Sequence, residues 1–319
     1  MDTHSSALNQ VYSPLSAQRR YEVWFLRLGL ADGSGAWWLR YLLLNPGRHG
    51  CVGNPLGIPV QVWATWFPAR DKPQSFIQGF PLATLELSDR RSAPFRFAVA
   101  ENAIEETSCR GHLDVDGHEV SWSLHYASTF GTTLSDKGWI GFSRTPHSDA
   151  EFSGSITLDG RRFEGQPIGF GLQGHNCGYR HRNFWRWTHA YFPCNGRAPT
   201  TLEGLVYEMP FGFVFRRGVL WHDGRQYRFN LREISLNRDE PQWSWRASTP
   251  DGLQLEVTVD GRGAGVHRLP YLKTDCSGSF EVVNNSYANA TLTLKWPSQF
   301  ADTIETRGGA VLEMGGVPH

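Results

Sequence analysis

The sequence predicts an all-β fold of two antiparallel β-domains. Three observations lead there. Apolar residues recur with period two, most clearly over residues 21–28, 60–67 and 291–296, the pattern of a strand that shows alternate side chains to opposite faces. Asp-Gly pairs fall at Asp32-Gly33, Asp116-Gly117, Asp159-Gly160, Asp223-Gly224, Asp251-Gly252 and Asp260-Gly261, and such a pair suits a type I′ hairpin turn. No fifteen-residue window carries a clean 3.6 period, and 34 Gly and 18 Pro break the chain too often for long helices.

Along the chain, residues 1–20 are polar and carry no apolar h-region, so no secretory signal is expected. The first strand follows at Tyr21. The longest apolar stretch, residues 36–44, is interrupted by Arg40 and is too short to span a bilayer. Residues 111–120, 154–163 and 218–227 share the pattern Gly-x-apolar-x-x-Asp-Gly-x-x-apolar. That weak repeat is what duplicated barrels would leave, and also what any meander of hairpins produces. At 319 residues the chain exceeds one ordinary barrel and fits two domains of roughly 150 residues. The polar segment 143–150, with Pro146, reads as the linker, which gives domains 1–148 and 149–319. Many short strands must hide their edges, and sequential hairpins do so by closing into barrels.

Lys+Arg and Asp+Glu are both 31, so there is no electrostatic footprint for nucleic acid or an anionic membrane. Aromatics break the nearest basic run, Arg180, His181, Arg182 and Arg186. Cys51, Cys109, Cys177, Cys194 and Cys276 are odd in number and form no Cys-x-x-Cys pair. Reduced thiols and a cytoplasmic location are the expectation. The unusual feature is the aromatic load of 13 Trp, 19 Phe and 10 Tyr. Leu and Val fill cores without it, whereas large flat side chains also line ligand pockets.

One stretch stands apart. Gly171, Gly174 and Gly178 bracket His175 and Asn176, and then Trp185, Trp187 and His189 alternate, which puts them on one face of a strand. Gln173-Gly174-His175-Asn176-Cys177-Gly178 followed by Trp185-x-Trp187-x-His189 resembles the two-domain lipocalin-like (calycin) superfamily. That superfamily includes AttH-type proteins, carotenoid 1,2-hydratases, tocopherol cyclases and Diels–Alderases. Residues 154–163 lead into the motif in the same order; Arg110-Gly111-His112-Leu113 to Trp122-Ser123-Leu124, Leu269-Pro270-Tyr271 and Val283-Asn284-Asn285-Ser286 fit other parts. The resemblance covers most of the chain, with Cys177 where a Trp is common. It implies two packed barrels and a pocket for a lipophilic terpenoid or polyketide.

The expected function is a hydratase or cyclase, pericyclase included, acting on a hydrophobic isoprenoid or polyketide. The alternative is a non-catalytic carrier of a lipophilic ligand. Protonating an alkene needs a carboxylic acid held neutral in an apolar pocket, with aromatic faces to shelter the cation. Glu203, in the apolar context Leu202-Glu203-Gly204-Leu205, is the first candidate, ahead of Glu208 and Asp275. His175, His189 and Asn176 are candidates to orient water or substrate. A pericyclic reaction needs no acid, only a shaped pocket and one donor, with His175, Asn176, Tyr207 or Tyr271 available. Trp185, Trp187, Tyr207, Trp122, Trp63, Trp66 and Tyr271 are the expected substrate-binding rings. No His-x-His or His-x₃-His pair occurs, and no Gly-x-Ser-x-Gly elbow or phosphate loop, so neither metal nor nucleotide cofactor is expected.

Overall fold

The computed structural model describes residues 7–12, 19–45, 58–89, 94–181, 184–194, 198–274 and 277–316. Asp275, Cys51 and Cys276 lie outside the described residues. Strand accounts for 71% and helix for 4%, which makes the fold all-β. No helix among the described residues is long and apolar enough to cross a membrane.

The first strands are β1 (Arg20–Leu30), β2 (Gly35–Asn45), β3 (Val60–Pro68), β4 (Gln74–Phe80), β5 (Leu85–Leu87), β6 (Arg96–Val99) and β7 (Asn102–Glu105). They continue as β8 (Ser108–Val115), β9 (His118–Ala127), β10 (Thr132–Asp136), β11 (Gly141–Leu158) and β12 (Arg161–Gly178). These form a 12-stranded sheet in the order β4-β3-β2-β1-β12-β11-β9-β8-β7-β6-β5, with β10 paired to β11. The second set is β13 (Phe184–Phe192), β14 (Thr200–Glu208), β15 (Val214–His222), β16 (Arg225–Phe229) and β17 (Leu231–Asn237). It ends with β18 (Gln242–Ser248), β19 (Gln254–Asp260), β20 (His267–Leu272), β21 (Ser279–Lys295) and β22 (Asp302–Gly316). These form a 10-stranded sheet, β16-β15-β14-β13-β22-β21-β19-β18-β17, with β20 paired to β21. All pairings are antiparallel, and one of the two sheets is a nearly closed barrel.

The turns follow from the sequence. Asp116-Gly117, Asp159-Gly160 and Asp223-Gly224 have positive φ at both residues, the requirement of a type I′ turn. They close the hairpins β8–β9, β11–β12 and β15–β16. The weak repeat is therefore one hairpin design used three times. In two of the three the leading glycine makes room for a ring: a Cβ on Gly111 would lie 2.1 Å from the Trp122 ring, and one on Gly218 2.2 Å from Phe229, whereas Gly154 packs against the Ser123 carbonyl.

Strand β1 shows how period two serves two cores. Trp24, Leu26 and Leu28 point into the first sheet's core. Val23 and Phe25 point the other way, into a junction core shared with Trp187, Leu205, Tyr207 and Val311 of the second sheet. The second sheet has its own core around Trp243, Trp245, Val257 and Leu292.

The segment 143–150 is not a linker. It is part of β11, and residues 145–150 are buried. The division at residue 148 falls inside that strand, and the chain passes from one sheet to the other between Gly178 and Phe184. The polar groups that suggested solvent are instead satisfied inside the protein, at Thr145 and Ser148 by the second sheet. Thr145 donates to Glu203, and His189 Nε2 donates to the Ser148 carbonyl at 2.7 Å. Asp149 accepts from the backbone N–H groups of Thr129 and Phe130.

Candidate functional site

The junction core is not filled. Between the sheets lies a cavity with about 860 Å³ of empty space, its open mouth included. The first sheet lines it with Tyr21, Val23 and Phe25 of β1, Trp38 and Arg40 of β2, Ser135 of β10, Phe142 of β11, and Asn176 and Cys177 of β12. His181 stands where the chain crosses between the sheets. The second sheet supplies Trp185, Trp187, Leu205, Tyr207, Tyr271 and Glu313.

Rings make most of the wall. Phe25 stacks on Trp38 with centroids 5.6 Å apart, and Trp187 meets both edge-on at 5.6 and 5.9 Å. His181 stacks on Tyr21 at 4.2 Å. Tyr207 shares a hydrogen bond with Ser135 at 2.8 Å, oxygen to oxygen across the junction.

The functional groups gather at one end. Glu313, on β22, accepts from Trp185 Nε1 at 2.8 Å, from the Tyr271 hydroxyl at 2.7 Å and from Asn284 Nδ2 at 3.3 Å. Three of the roughly four acceptor sites of a carboxylate are thus taken. Burial raises the Tyr271 hydroxyl well above the ordinary phenol range, so Tyr271 stays a donor. The Arg40 guanidinium lies over the same tyrosine, 4.2 Å from the Tyr271 ring centroid, and 4.6 Å from that of Trp63. Burial, and then the charge of Arg40, lower the His181 imidazole to about 3, so it is neutral. The buried atoms Arg40 Nη1, His181 Nδ1, Asn176 Oδ1 and Trp38 Nε1 have no hydrogen-bond partner among the described residues.

Of the residues singled out in the sequence, Asn176, Trp185, Trp187, Tyr207 and Tyr271 meet at this cavity. His175 does not. It adjoins Asn176 on a strand, so it faces the other way. It stacks on Trp24 at 4.5 Å, and its two ring nitrogens meet the Leu8 carbonyl at 2.8 Å and Glu22 at 2.9 Å. His189 shares a face with Trp185 and Trp187 but sits deeper, bonded to Ser148. Trp66 and Trp122 belong to the core of the first sheet, Trp66 against Trp37 and Phe163, Trp122 donating to the Tyr41 hydroxyl at 2.8 Å. Trp63 is one layer back, edge-on to Tyr271 at 5.5 Å. Glu208, at the end of β14, is not in the wall. Arg40, His181 and Glu313 were not singled out as site residues. The one sequence signal for Arg40 was a charge in the middle of an apolar strand.

Glu203 is 2% exposed and stands behind the wall rather than in it. Trp187 Nε1 donates to it at 2.8 Å, and Thr145 Oγ1 lies 2.9 and 2.8 Å from its two oxygens. Burial raises its carboxyl from the usual 4.5 to about 7, against the pull of those two hydrogen bonds. A carboxyl whose pKa is higher in the folded state stabilises the fold below the unfolded pKa. That stability is lost as pH rises through the folded value. Between about pH 5 and pH 8, Glu203→Gln should therefore gain roughly 2–3 kcal/mol on the wild type. Urea denaturation of both proteins at the two pH values checks it, and a pH-independent difference would contradict it. Buried His189, lowered to about 3, and His181 act in the opposite direction, losing stability as pH falls below 6.5. They do so in both proteins and cancel from the difference.

Among the described residues no three His, Cys, Asp or Glu side chains are grouped as metal ligands. No protein-family model and no curated protein sequence matches the chain. Solved structures do resemble it. Kievitone hydratase from Nectria haematococca superposes with a TM-score of 0.58 at 12% identity, over 99% of this chain and 95% of its own. CghA, solved with Sch210972, gives 0.65 at 10% identity, over 94% of this chain and 89% of its own. An AttH-type protein from Nitrosomonas europaea gives 0.52 at 10% identity, over 97% and 95%. At such identities the likeness is one of fold, which the chain shares with all three structures over nearly its whole length.

Proposed function

We propose that the protein is a hydratase or cyclase acting on a hydrophobic isoprenoid or polyketide held between the two sheets. One observation carries this reading. A cavity walled by indole, phenyl and phenol rings also contains a fixed carboxylate and several buried polar atoms that have no partner among the described residues. A carrier for a purely apolar ligand gains nothing from burying such groups, which cost free energy until something pairs with them. The structural neighbours include a hydratase and CghA, a Diels–Alderase, which agrees with the reading.

The proton-transfer group moves from Glu203 to Glu313. Glu203 is screened from the cavity by Trp187, whereas Glu313 is in the wall. Three donors fix the Glu313 carboxylate in place and leave about one of its acceptor positions free to take a proton and return it. For hydration of an alkene conjugated to a carbonyl, water bonds through oxygen to the alkene carbon and its proton passes to Glu313. The displaced π electrons move towards the carbonyl, and Glu313 gives the proton back to the neighbouring carbon. In cyclisation a hydroxyl of the substrate replaces water. The rings hold the body of the substrate in a reactive shape and keep bulk water out.

Native mass spectrometry of the purified protein, looking for a co-purified lipophile, tests the reading. A bound isoprenoid- or polyketide-sized mass that the protein converts, with a gain of water or at constant mass, is expected. A bound lipophile released unchanged after long incubation would support the carrier instead.

A further inference from the structure

Two arginines interrupt apolar strands of the first sheet, and both are buried at the junction. They differ in one respect. Arg27 is saturated: its guanidinium donates to the carbonyls of Ser286, Gly308, Gly309 and Ala310 in the second sheet. Arg40 is 4% exposed and lines the cavity, yet its Nη1 has no hydrogen-bond partner, and no carboxylate among the described residues pairs with it. The rings of Trp63 and Tyr271 hold it in place through cation–π contact without using its N–H donors. The carboxylate in the cavity wall, Glu313, is engaged by other donors, the Tyr271 hydroxyl, Trp185 and Asn284.

A buried guanidinium is costly unless something answers its charge. Its planar fork matches a group with two oxygens in one plane. We propose that Arg40 is a binding site for the acidic head of the substrate, a carboxylate or an enolised β-dicarbonyl, whose hydrophobic body then lies against Phe25, Trp38 and Trp187. This rests on the cavity being the substrate site, as the hydratase or cyclase reading requires. It adds that the substrate is an anion at neutral pH. Tyr271 touches both groups, Arg40 over its ring face and Glu313 at its hydroxyl, so one side chain joins the head-group site to the proton-transfer group.

A matched pair of fluorescent probes tests it on the full chain: 9-anthracenecarboxylate, ionised at neutral pH, and the neutral 9-anthracenemethanol. Binding is read by quenching of tryptophan fluorescence. The wild type should prefer the carboxylate by about 10- to 100-fold, as charge-assisted bonds of this kind imply. Arg40→Met should abolish the preference while leaving the affinity for the alcohol within a few-fold. Arg40→Gln, which keeps a donor but not the charge, should do the same, and either variant suffices if the other does not fold. Arg40→Met should also melt no lower than the wild type, because the charge it removes meets no carboxylate among the described residues. Equal binding of both probes by the wild type, or a preference that survives in the variants, would overturn the assignment and leave the cavity standing as a ligand site. Binding of neither probe would overturn the cavity reading, and this proposal with it.

Discussion

Arg27→Ala is expected to destabilise the protein by about 3–5 kcal/mol. Arg27 is fully buried, and burial lowers its guanidinium to about 9, which leaves it charged at neutral pH. Its Nε and Nη2 both donate to the Ser286 carbonyl, at 2.9 and 2.8 Å, and its remaining donors serve Gly308, Gly309 and Ala310. Those carbonyls belong to β21 and β22, so one side chain from β1 ties the two sheets. Truncation leaves several buried acceptors unpaired, each costing about 1–3 kcal/mol, and adds a void. Water entering the void offsets part of that. At roughly 2–4 °C per kcal/mol for a large domain, the melting midpoint should fall by about 6–20 °C. Urea denaturation followed by tryptophan fluorescence measures it. A loss below about 1 kcal/mol would mean that the apolar contacts of the junction hold the sheets without this tie.

Glu313→Gln is expected to lower turnover of the native substrate by about 10²–10⁴-fold, the usual contribution of a positioned acid–base group. Glutamine can still accept from Trp185 through its oxygen and can donate to the Tyr271 hydroxyl through its nitrogen, and it gives up only the long 3.3 Å bond from Asn284. Folding and ligand affinity should therefore change little. Tyr271→Phe removes one of the donors that fix the carboxylate and should cost less, about tenfold. Single-turnover kinetics on the molecule identified by native mass spectrometry separates these effects on chemistry from effects on binding. Turnover unchanged in Glu313→Gln would dismiss the proton-transfer role and favour a pericyclic reaction, which needs only the shaped cavity and a donor.

How far the sequence shows this site depends on which interaction each residue makes. Period two and the Asp-Gly turns are local, so the strands and the β8–β9, β11–β12 and β15–β16 hairpins were legible. Trp185 and Trp187 were legible because alternation on one strand fixes their common face. The same rule, applied to neighbours, shows why His175 and Asn176 part company. The segment 143–150 misled because polarity signals solvent only where nothing else satisfies the polar groups. Here Glu203, His189 and Thr129 do so from elsewhere in the chain. Glu313 was illegible for a related reason. Its partners Trp185, Tyr271 and Asn284 come from β13, β20 and β21, and only the folded sheet brings them together. Arg27 and Arg40 look alike in sequence, each a charge within an apolar strand, and only tertiary packing separates the structural one from the one that lines the cavity.

The central claim is that the substrate binds between the sheets. The most direct measurement is a crystal structure of the full chain with 9-anthracenecarboxylate. The anthracene should lie against Trp38 and Trp187, with its carboxylate on Arg40. Ordered probe found only inside the first sheet's core, against Trp66 and Trp122, or a junction cavity that stays without probe at saturating concentration, would contradict the account.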